Sequence, residues 1–171
     1  SYYSEEENWV FISNSNGLQK DFKTTDTSFD VAVVAEKGDQ KTTGYDGCSR
    51  RIFSQVKPLE EIAAKAAEKA YEMLDPKMVK TQKAAVLIHP DAAYSILGGI
   101  LRAVNGVRVL QGASFLAGKL DKQVASPLFT LVDDGTSETG SNSRPFDGEG
   151  VPVQKRVIVD KGVLKNYMFN T

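Results

Sequence analysis

The sequence is poor in the residues from which disulfides and zinc sites are built. Its 171 residues include one cysteine, Cys48, and one histidine, His89. A single cysteine excludes an intramolecular disulfide, and these two residues alone cannot supply the ligand set of an ordinary zinc site. The sequence also has no Asn-x-Ser/Thr sequon. These absences are typical of a protein of the reducing cytoplasm, which is where we expect it.

An excess of charge and a long apolar run are also missing. Lys and Arg number 21 against 22 Asp and Glu, a net charge of −1, which provides no field to attract nucleic acid. No apolar run is longer than that of Ala84–Ile88, which is far too short to span a bilayer. The N-terminus has no basic region followed by an apolar one. We therefore expect neither a nucleic-acid partner nor a membrane partner.

The composition that is present suits a globular chain with a core. Hydrophobic residues make up 41% of the sequence and charged residues 25%, a balance that allows one domain or two small ones. The chain begins with Ser1 rather than Met, and the strand pattern of Val163–Phe169 stops before any turn. From these two features we expect an excised piece of a longer protein.

The first part of the chain has the pattern of antiparallel strands. Apolar residues predict a hairpin of Trp9–Ile12 and Leu18–Phe22, because Asn16-Gly17 readily takes the positive φ values of a tight turn. Alternation predicts another strand over Phe29–Ala35, with a return through Tyr45.

An amphipathic helix is predicted next, from Leu59 to Leu74. Its apolar residues recur at helical spacing after Pro58, and Asp75-Pro76 ends it, because the residue before proline disfavours helical geometry. We place a domain boundary after Lys80. Residues 1–80 then form a β-hairpin plus helix subdomain, and residues 81–171 form a strand-helix and β-rich part.

The second part combines predicted strands with one helix. Ala84–Ile88 is predicted to be a short buried strand, and the apolar spacing from Ala93 to Val104 predicts a helix that Asn105-Gly106 closes in left-handed geometry. Strands are predicted over 129–132, 156–159 and 163–169, with a turn at 160–162. The predicted fold class is α+β, with antiparallel hairpins and sheet and two main amphipathic helices.

His89 lies where a predicted strand meets a helix N-terminus. Ligand binding is one interpretation, because backbone N–H groups point outward at such a place. A structural or capping role is the other, and the lack of a second histidine favours it.

Acidic residues are the candidates for a cation site. Their carboxylates suit calcium or magnesium, but their order does not match the helix-loop-helix calcium motif. Asp133-Asp134-Gly135-Thr136 is more typical of a turn in which a carboxylate accepts backbone N–H bonds. The acidic side chains considered are Asp133, Asp134, Glu138, Asp147 and Glu149.

The candidate nucleophiles lack the surroundings that activation needs. Ser114 lies in Gly-x-Ser-x-Leu rather than the Gly-x-Ser-x-Gly of a nucleophile elbow. The segment Gly112–Lys119 has the wrong spacing for a phosphate loop. Cys48 has no neighbouring base in the sequence. We interpret these residues as structural.

The most informative stretch is Arg144–Gln154, which we call the knuckle. It places Asp147 and Glu149 between two glycines and two prolines, a composition that indicates a rigid polar loop with unusual backbone angles. Arg144, Asp147 and Glu149 are the candidate substrate-binding residues, and no catalytic residue is assigned.

Several motifs, taken in order, resemble the TldD/PmbA family from about Trp9 onwards. The resemblance implies a cytoplasmic, metal-dependent peptidase built from two related subunits, historically labelled modulator of DNA gyrase. It also implies that residues 81–171 are the truncated start of the family's C-terminal domain. The motifs are Asn14-Ser15-x-Gly17, the alanine-rich helix, Val86-Leu87-Ile88-His89-Pro90, Gly112-Ala113-Ser114, Asp133-Asp134-Gly135 and Phe146-Asp147-x-Glu149-Gly150-x-Pro152.

One departure from the family pattern concerns the metal. The metal-binding subunit carries His-Glu-x-x-x-His, where this sequence has His89, Pro90 and Tyr94. Proline cannot act as the general base, and tyrosine is a poor substitute for an imidazole ligand. The resemblance therefore implies a PmbA-like (TldE-like) subunit with no cofactor of its own, and zinc only in a metal-bearing partner.

Three functional hypotheses follow. The first is a non-metal partner of a TldD-like subunit, or a homodimer, that helps to bind a peptide substrate by strand addition. The alternative is a non-enzymatic, self-associating peptide-binding or scaffold protein. The third is hydrolysis at a cation held by Asp133, Asp134, Asp147 and Glu149. A link to gyrase rests on the family label alone.

Overall fold

The computed structural model describes residues 1–169, and they form two compact units. The first unit comprises residues 1–81 together with 137–150, and the second comprises 82–136 and continues from 151. Each unit combines an antiparallel sheet with helix, so the α+β fold class is confirmed. Within the described residues, no helix has the length and apolar character needed to cross a membrane.

A three-stranded antiparallel sheet forms the first unit's framework. Its strands are β1 (Tyr2–Ser13), β2 (Gln19–Lys37) and β3 (Gln40–Arg50), in the order β1-β2-β3. The predicted hairpins are confirmed, and the strands are longer than predicted because pairing continues well beyond the apolar residues. The first turn is a three-residue loop closed by the Asn14 N–H donating to Leu18 O at 3.1 Å, with positive φ at Gly17.

The first unit's helix packs on the sheet through small residues. Helix α1 (Leu59–Glu72) buries Ile62, Ala66 and Ala70, which recur at helical spacing as predicted. It lies so close to β3 that a Cβ at Gly44 would overlap the Ala66 carbonyl. This backbone approach explains the glycine in the middle of a strand.

The second unit has one core, formed by the end of a helix, a small sheet and the connection between them. Helix α2 (Pro90–Val104) is followed by α3 (Gly106–Leu110), and the sheet order is β4-β5-β6. The strands are β4 (Leu131–Asp134), β5 (Lys155–Asp160) and β6 (Val163–Leu164). The buried core residues come from both layers and from the connection between them: Ala103, Val104, Leu116, Ile158, Val159 and Leu164.

The predicted buried strand at Ala84–Ile88 is wrong. These residues have no regular secondary structure and are exposed, with Leu87 at 99%. An apolar run becomes a strand only where a neighbouring strand receives its backbone hydrogen bonds. No strand among residues 1–169 pairs with this segment.

Two boundaries in the second unit also differ from the prediction. Asn105 ends α2 in extended geometry, with φ −63° and ψ 121°, so the predicted left-handed closure is wrong. Its side chain instead caps α3, which Gly106 begins. Strand β6 ends at Leu164 rather than Phe169, and β4 begins two residues later than the predicted Phe129. The turn before β6 has positive φ at Lys161 and Gly162.

Candidate functional site

The part of the knuckle in the first unit is anchored by an aromatic side chain. Phe146 is only 5% exposed, and its ring meets Phe22 of β2 edge-on, with ring centroids 5.0 Å apart. An edge-to-face pair of this kind is a favourable aromatic contact. The loop that carries Arg144, Asp147 and Glu149 is therefore held against the β1–β2 hairpin.

Lys20 of β2 holds the same loop by two contacts. Its Nζ donates to Gly150 O at 2.9 Å and lies 5.5 Å from the centroid of the Phe146 ring. Gly150 has φ +83°, and a Cβ there would overlap the Leu18 side chain. The positive φ favours glycine here, and a Cβ would also force the Leu18 side chain to move.

The candidate substrate-binding residues lie together on this loop. The Asp147 side chain accepts the Glu149 N–H at 2.9 Å, and the Asp147 carbonyl accepts the Gly150 N–H at 3.1 Å. Asp147 is half-buried, whereas Arg144 and Glu149 are exposed. Arg144 makes no hydrogen bond or ion pair within residues 1–169. The geometry gives Asp147 a turn-stabilising role and leaves the Arg144 guanidinium open to solvent.

Arg51 is a contact residue that the sequence analysis missed. Its guanidinium donates to the carbonyl of the buried Ser143, while its own carbonyl accepts the Thr25 hydroxyl at 2.8 Å. The buried Arg51 Nε finds no hydrogen-bond partner in the described part of the chain. No local pattern links Arg51 to a residue so far along the sequence, so only the fold reveals the contact.

The degenerate metal motif lies at the start of α2. His89 is the N-cap, and its Nδ1 accepts the Asp91 N–H at 3.3 Å, which confirms the capping role. Pro90 is the first helical residue, a favourable position for proline. Tyr94 is 80% exposed. His89 and Pro90 therefore have local roles at the start of α2, and Tyr94 lies exposed on the same helix.

Asp134, the last residue of β4, stabilises a turn of the predicted kind. The Asp134 Oδ1 accepts the Thr136 N–H at 3.1 Å and the Thr136 hydroxyl at 2.7 Å, and its Oδ2 lies 2.9 Å from Lys155 Nζ. The hydrogen bond from Lys155, followed by those from Thr136, lowers the pKa of Asp134 to about 2. This carboxylate is held ionised by protein groups.

No cation site is formed by the side chains that the structure describes. Residues 1–169 contain no group of three or more His, Cys, Asp or Glu side chains that could hold a metal ion. The third hypothesis, hydrolysis at an acidic cation site, gains no support from these residues.

Ser114 is held by hydrogen bonds to the backbone, and Cys48 is buried. The Ser114 hydroxyl donates to Ala103 O and accepts the Leu116 N–H at 3.1 Å, which ties the loop to the end of α2. Cys48 is buried in the first unit. The interpretation of Ser114 as a loop hydroxyl is confirmed.

Models of two consecutive protein-family domains match the chain. Residues 1–74 match the PmbA/TldA metallopeptidase central domain, and residues 81–171 match the PmbA/TldA metallopeptidase C-terminal domain. Among curated proteins, MJ0231 of Methanocaldococcus jannaschii is 32% identical over 98% of this chain and 38% of its own length. Metalloprotease PmbA of Escherichia coli O157:H7 is 27% identical over 94% of this chain and 36% of its own length.

Solved structures share the same fold. A modulator of a DNA gyrase from Thermotoga maritima matches 98% of this chain and 39% of its own, with a TM-score of 0.89 and 27% identity. TldE from Thermococcus kodakarensis matches 98% of this chain and 38% of its own, with a TM-score of 0.79 and 25% identity. The chain thus spans less than two fifths of the length of these relatives.

Proposed function

The chain belongs to the TldD/PmbA family of metallopeptidases, and from this premise we propose that it is part of a PmbA-like (TldE-like) subunit without a metal site of its own. The subunit works with a TldD-like partner that carries zinc. The single observation that carries the proposal is the replacement of His-Glu-x-x-x-His by a motif with Pro90 and Tyr94 in its second and last positions.

The chemistry of these two side chains supports the proposal. Hydrolysis at zinc needs a carboxylate to take the proton of the metal-bound water, and Pro90 has no side-chain donor or acceptor. The last histidine of the motif would supply an imidazole ligand, and Tyr94 offers only a phenol at that position. Pro90 and His89 instead begin a well-capped helix. The scaffold is kept in this subunit, and catalysis is left to the partner.

The subunit's contribution is proposed to be peptide binding. An extended peptide adds to a sheet through backbone hydrogen bonds, so it needs an open strand edge more than particular side chains. In the order β1-β2-β3, β1 is an edge strand within the described residues. We assign strand addition to β1, and we propose Arg144, Asp147 and Glu149 as polar contacts to the same substrate.

The test is hydrolysis of a flexible peptide by the full-length protein, alone and mixed with a TldD-like relative that carries His-Glu-x-x-x-His. We expect cleavage only in the mixture, and we expect a metal chelator to abolish it. Replacing the motif's glutamate in the relative by glutamine is the matched control, because it removes the base and keeps the assembly. Cleavage by this protein alone would show that our interpretation of Pro90 and Tyr94 is wrong.

The alternative is a self-associating peptide-binding or scaffold protein without enzymatic involvement. Exposed aromatic residues on β1 favour it, since Trp9 is 68% and Phe11 62% exposed, and such surfaces mark interaction sites. Peptide retention by a homodimer, with no cleavage in any mixture, would select this function. A direct role on gyrase or DNA has no physical support from a net charge of −1. A cytoplasmic location agrees with the single, buried Cys48.

A further inference from the structure

We propose that Asn16 is a site of spontaneous deamidation and that the other Asn-Gly pair of the chain, Asn105-Gly106, is protected from the same reaction by the fold. The two pairs have the same sequence, but Asn16-Gly17 is exposed whereas Gly106 of the other pair is buried. The proposal concerns the β1–β2 hairpin itself and does not depend on the proposed peptidase role.

The reaction needs only water. The Gly17 backbone nitrogen loses its proton and attacks Cγ of Asn16, forming a C–N bond and closing a five-membered ring. Ammonia leaves with that proton, and a succinimide remains. Water then adds to one of the two ring carbonyls and breaks one C–N bond, which gives aspartate or isoaspartate. The net change is the replacement of ammonia by water, with no redox step.

Asn16 is open to this attack. It lies exposed at the loop tip, and its side chain makes no hydrogen bond within residues 1–169. The Gly17 N–H donates to Asn14 O at a long 3.2 Å, in a loop where such a bond opens readily. Apart from its two chain neighbours, no residue among 1–169 has an atom within 4 Å of the position that a Gly17 Cβ would occupy. Space and access are therefore available for the ring.

In the Asn105-Gly106 pair, both the asparagine side chain and the glycine N–H are hydrogen-bonded. Its Oδ1 accepts the Arg108 N–H at 3.1 Å, and the Gly106 N–H donates to Met168 O at 2.6 Å. Gly106 is buried, and a Cβ there would overlap the Phe169 ring. Ring closure at Asn105 would require the loss of both hydrogen bonds and of this packing, so it has to wait for local unfolding.

Deamidation at Asn16 changes the segment that positions the knuckle. Isoaspartate adds one methylene to the main chain inside a loop whose length sets the strand register. Leu18 and Lys20, which contact Gly150, follow directly after this loop. The modification therefore loosens the contact between the hairpin and the loop that carries Asp147 and Glu149.

The experiment is incubation of the purified full-length protein at mildly alkaline pH, followed by trypsin digestion and mass spectrometry. We expect the peptide ending at Lys20 to gain about one dalton, at least about tenfold faster than the Ala103–Arg108 peptide. In denaturant the two rates should converge, because both Asn-Gly pairs are then free. Equal rates in the native protein would overturn the proposal.

A conservative variant identifies the reacting residue. Asn16→Gln should abolish the fast mass gain, because the longer side chain closes a less favourable six-membered ring. Asn105→Gln is the matched control and should leave the rate at the Lys20 peptide unchanged. A mass gain in that peptide that persists in Asn16→Gln would assign the reaction to another asparagine of the peptide, such as Asn8 or Asn14, and would also overturn the proposal.

Discussion

Asp134 is the residue whose ionisation is most clearly set by its neighbours. Its pKa is lowered to about 2 by the Lys155 hydrogen bond first and by Thr136 second. A carboxyl whose folded-state pKa is depressed stabilises the fold above its unfolded pKa, and this contribution is lost as the pH falls through the folded pKa. We predict that an NMR titration places the Asp134 midpoint near 2 and that Lys155→Ala raises this pKa towards the ordinary aspartate value of 3.8.

Thr136 provides the control for this titration. Thr136→Val removes the hydroxyl bond and keeps the backbone N–H bond, so the midpoint should rise less than in Lys155→Ala. Thr136→Ser keeps both bonds and should leave the midpoint unchanged. An Asp134 titration that does not move in Lys155→Ala would contradict the assigned cause.

We predict that replacing glycine by alanine has opposite effects on stability at Gly44 and at Gly98. Gly44→Ala drives a methyl group into the backbone of α1, so we expect destabilisation of at least about 2 kcal/mol, as for an overpacked core. Gly98 lies inside α2, and apart from the adjacent helix backbone no atom of the described residues lies within 4 Å of a new Cβ. Gly98→Ala should therefore stabilise the protein by about 0.5–1 kcal/mol through helix propensity. Denaturant unfolding of both variants measures the contrast, and equal signs would refute it.

Secondary structure that depends on residues close together in the sequence was predictable. Secondary structure that depends on pairing with a distant part of the chain was not. Helix α1 follows from its apolar spacing and the Asp75-Pro76 stop, because both act within a few residues. Ala84–Ile88 has strand composition and lacks a pairing strand among residues 1–169. Pairing is a long-range property, which composition does not contain.

The candidate site shows the same division. The turn at Asp134 and the capping by His89 were predictable because donor and acceptor are two residues apart. The contact of Phe146 with Phe22 and that of Arg51 with Ser143 join residues far apart in the sequence. Neither contact has a signal in one sequence, although the composition of the knuckle correctly indicated a shaped loop.

A substitution at Phe146 tests whether this side chain holds the knuckle loop in place. Phe146→Ala removes a buried ring from its contacts with Phe22 and Lys20, and we expect a loss of about 3 kcal/mol. Hydrogen exchange should show faster opening of residues 143–150, while α2 keeps its protection because it belongs to the other unit. Phe115→Ala is the control, since that phenylalanine is exposed. Unchanged exchange at residues 143–150 would show that Phe146 does not hold the loop.

At the scale of the whole molecule, the two units divide the proposed work. The first unit holds β1, an edge strand within residues 1–169, and the Arg144–Gly150 part of the knuckle. The second holds the helix in which Pro90 and Tyr94 replace residues of the metal motif. The domain boundary after Lys80 remains a prediction. The proposal thus places peptide contacts in the first unit and assigns the zinc chemistry to the partner.

The β1 edge can be blocked without disturbing the sheet. The Asn14–Leu18 pair is hydrogen-bonded, and hydrogen-bonded and non-hydrogen-bonded pairs alternate along antiparallel strands. Glu7, which faces Thr25, is then in a non-hydrogen-bonded pair, so its N–H points away from β2. Proline is tolerated at such a position of an edge strand. Glu7→Pro removes one outward donor, and it also removes the exposed ion pair with Lys23.

We predict that Glu7→Pro raises the KM of the mixed peptidase about three- to tenfold with kcat nearly unchanged, which corresponds to the loss of one backbone hydrogen bond to the peptide. Glu7→Ala removes the same ion pair and keeps the N–H, so its KM should stay at the wild-type value. Asn8→Pro should instead destabilise the fold, because the Asn8 N–H points into the sheet. A wild-type KM for a folded Glu7→Pro protein would exclude strand addition at β1 and leave the non-metal subunit assignment intact, since that assignment rests on Pro90 and Tyr94.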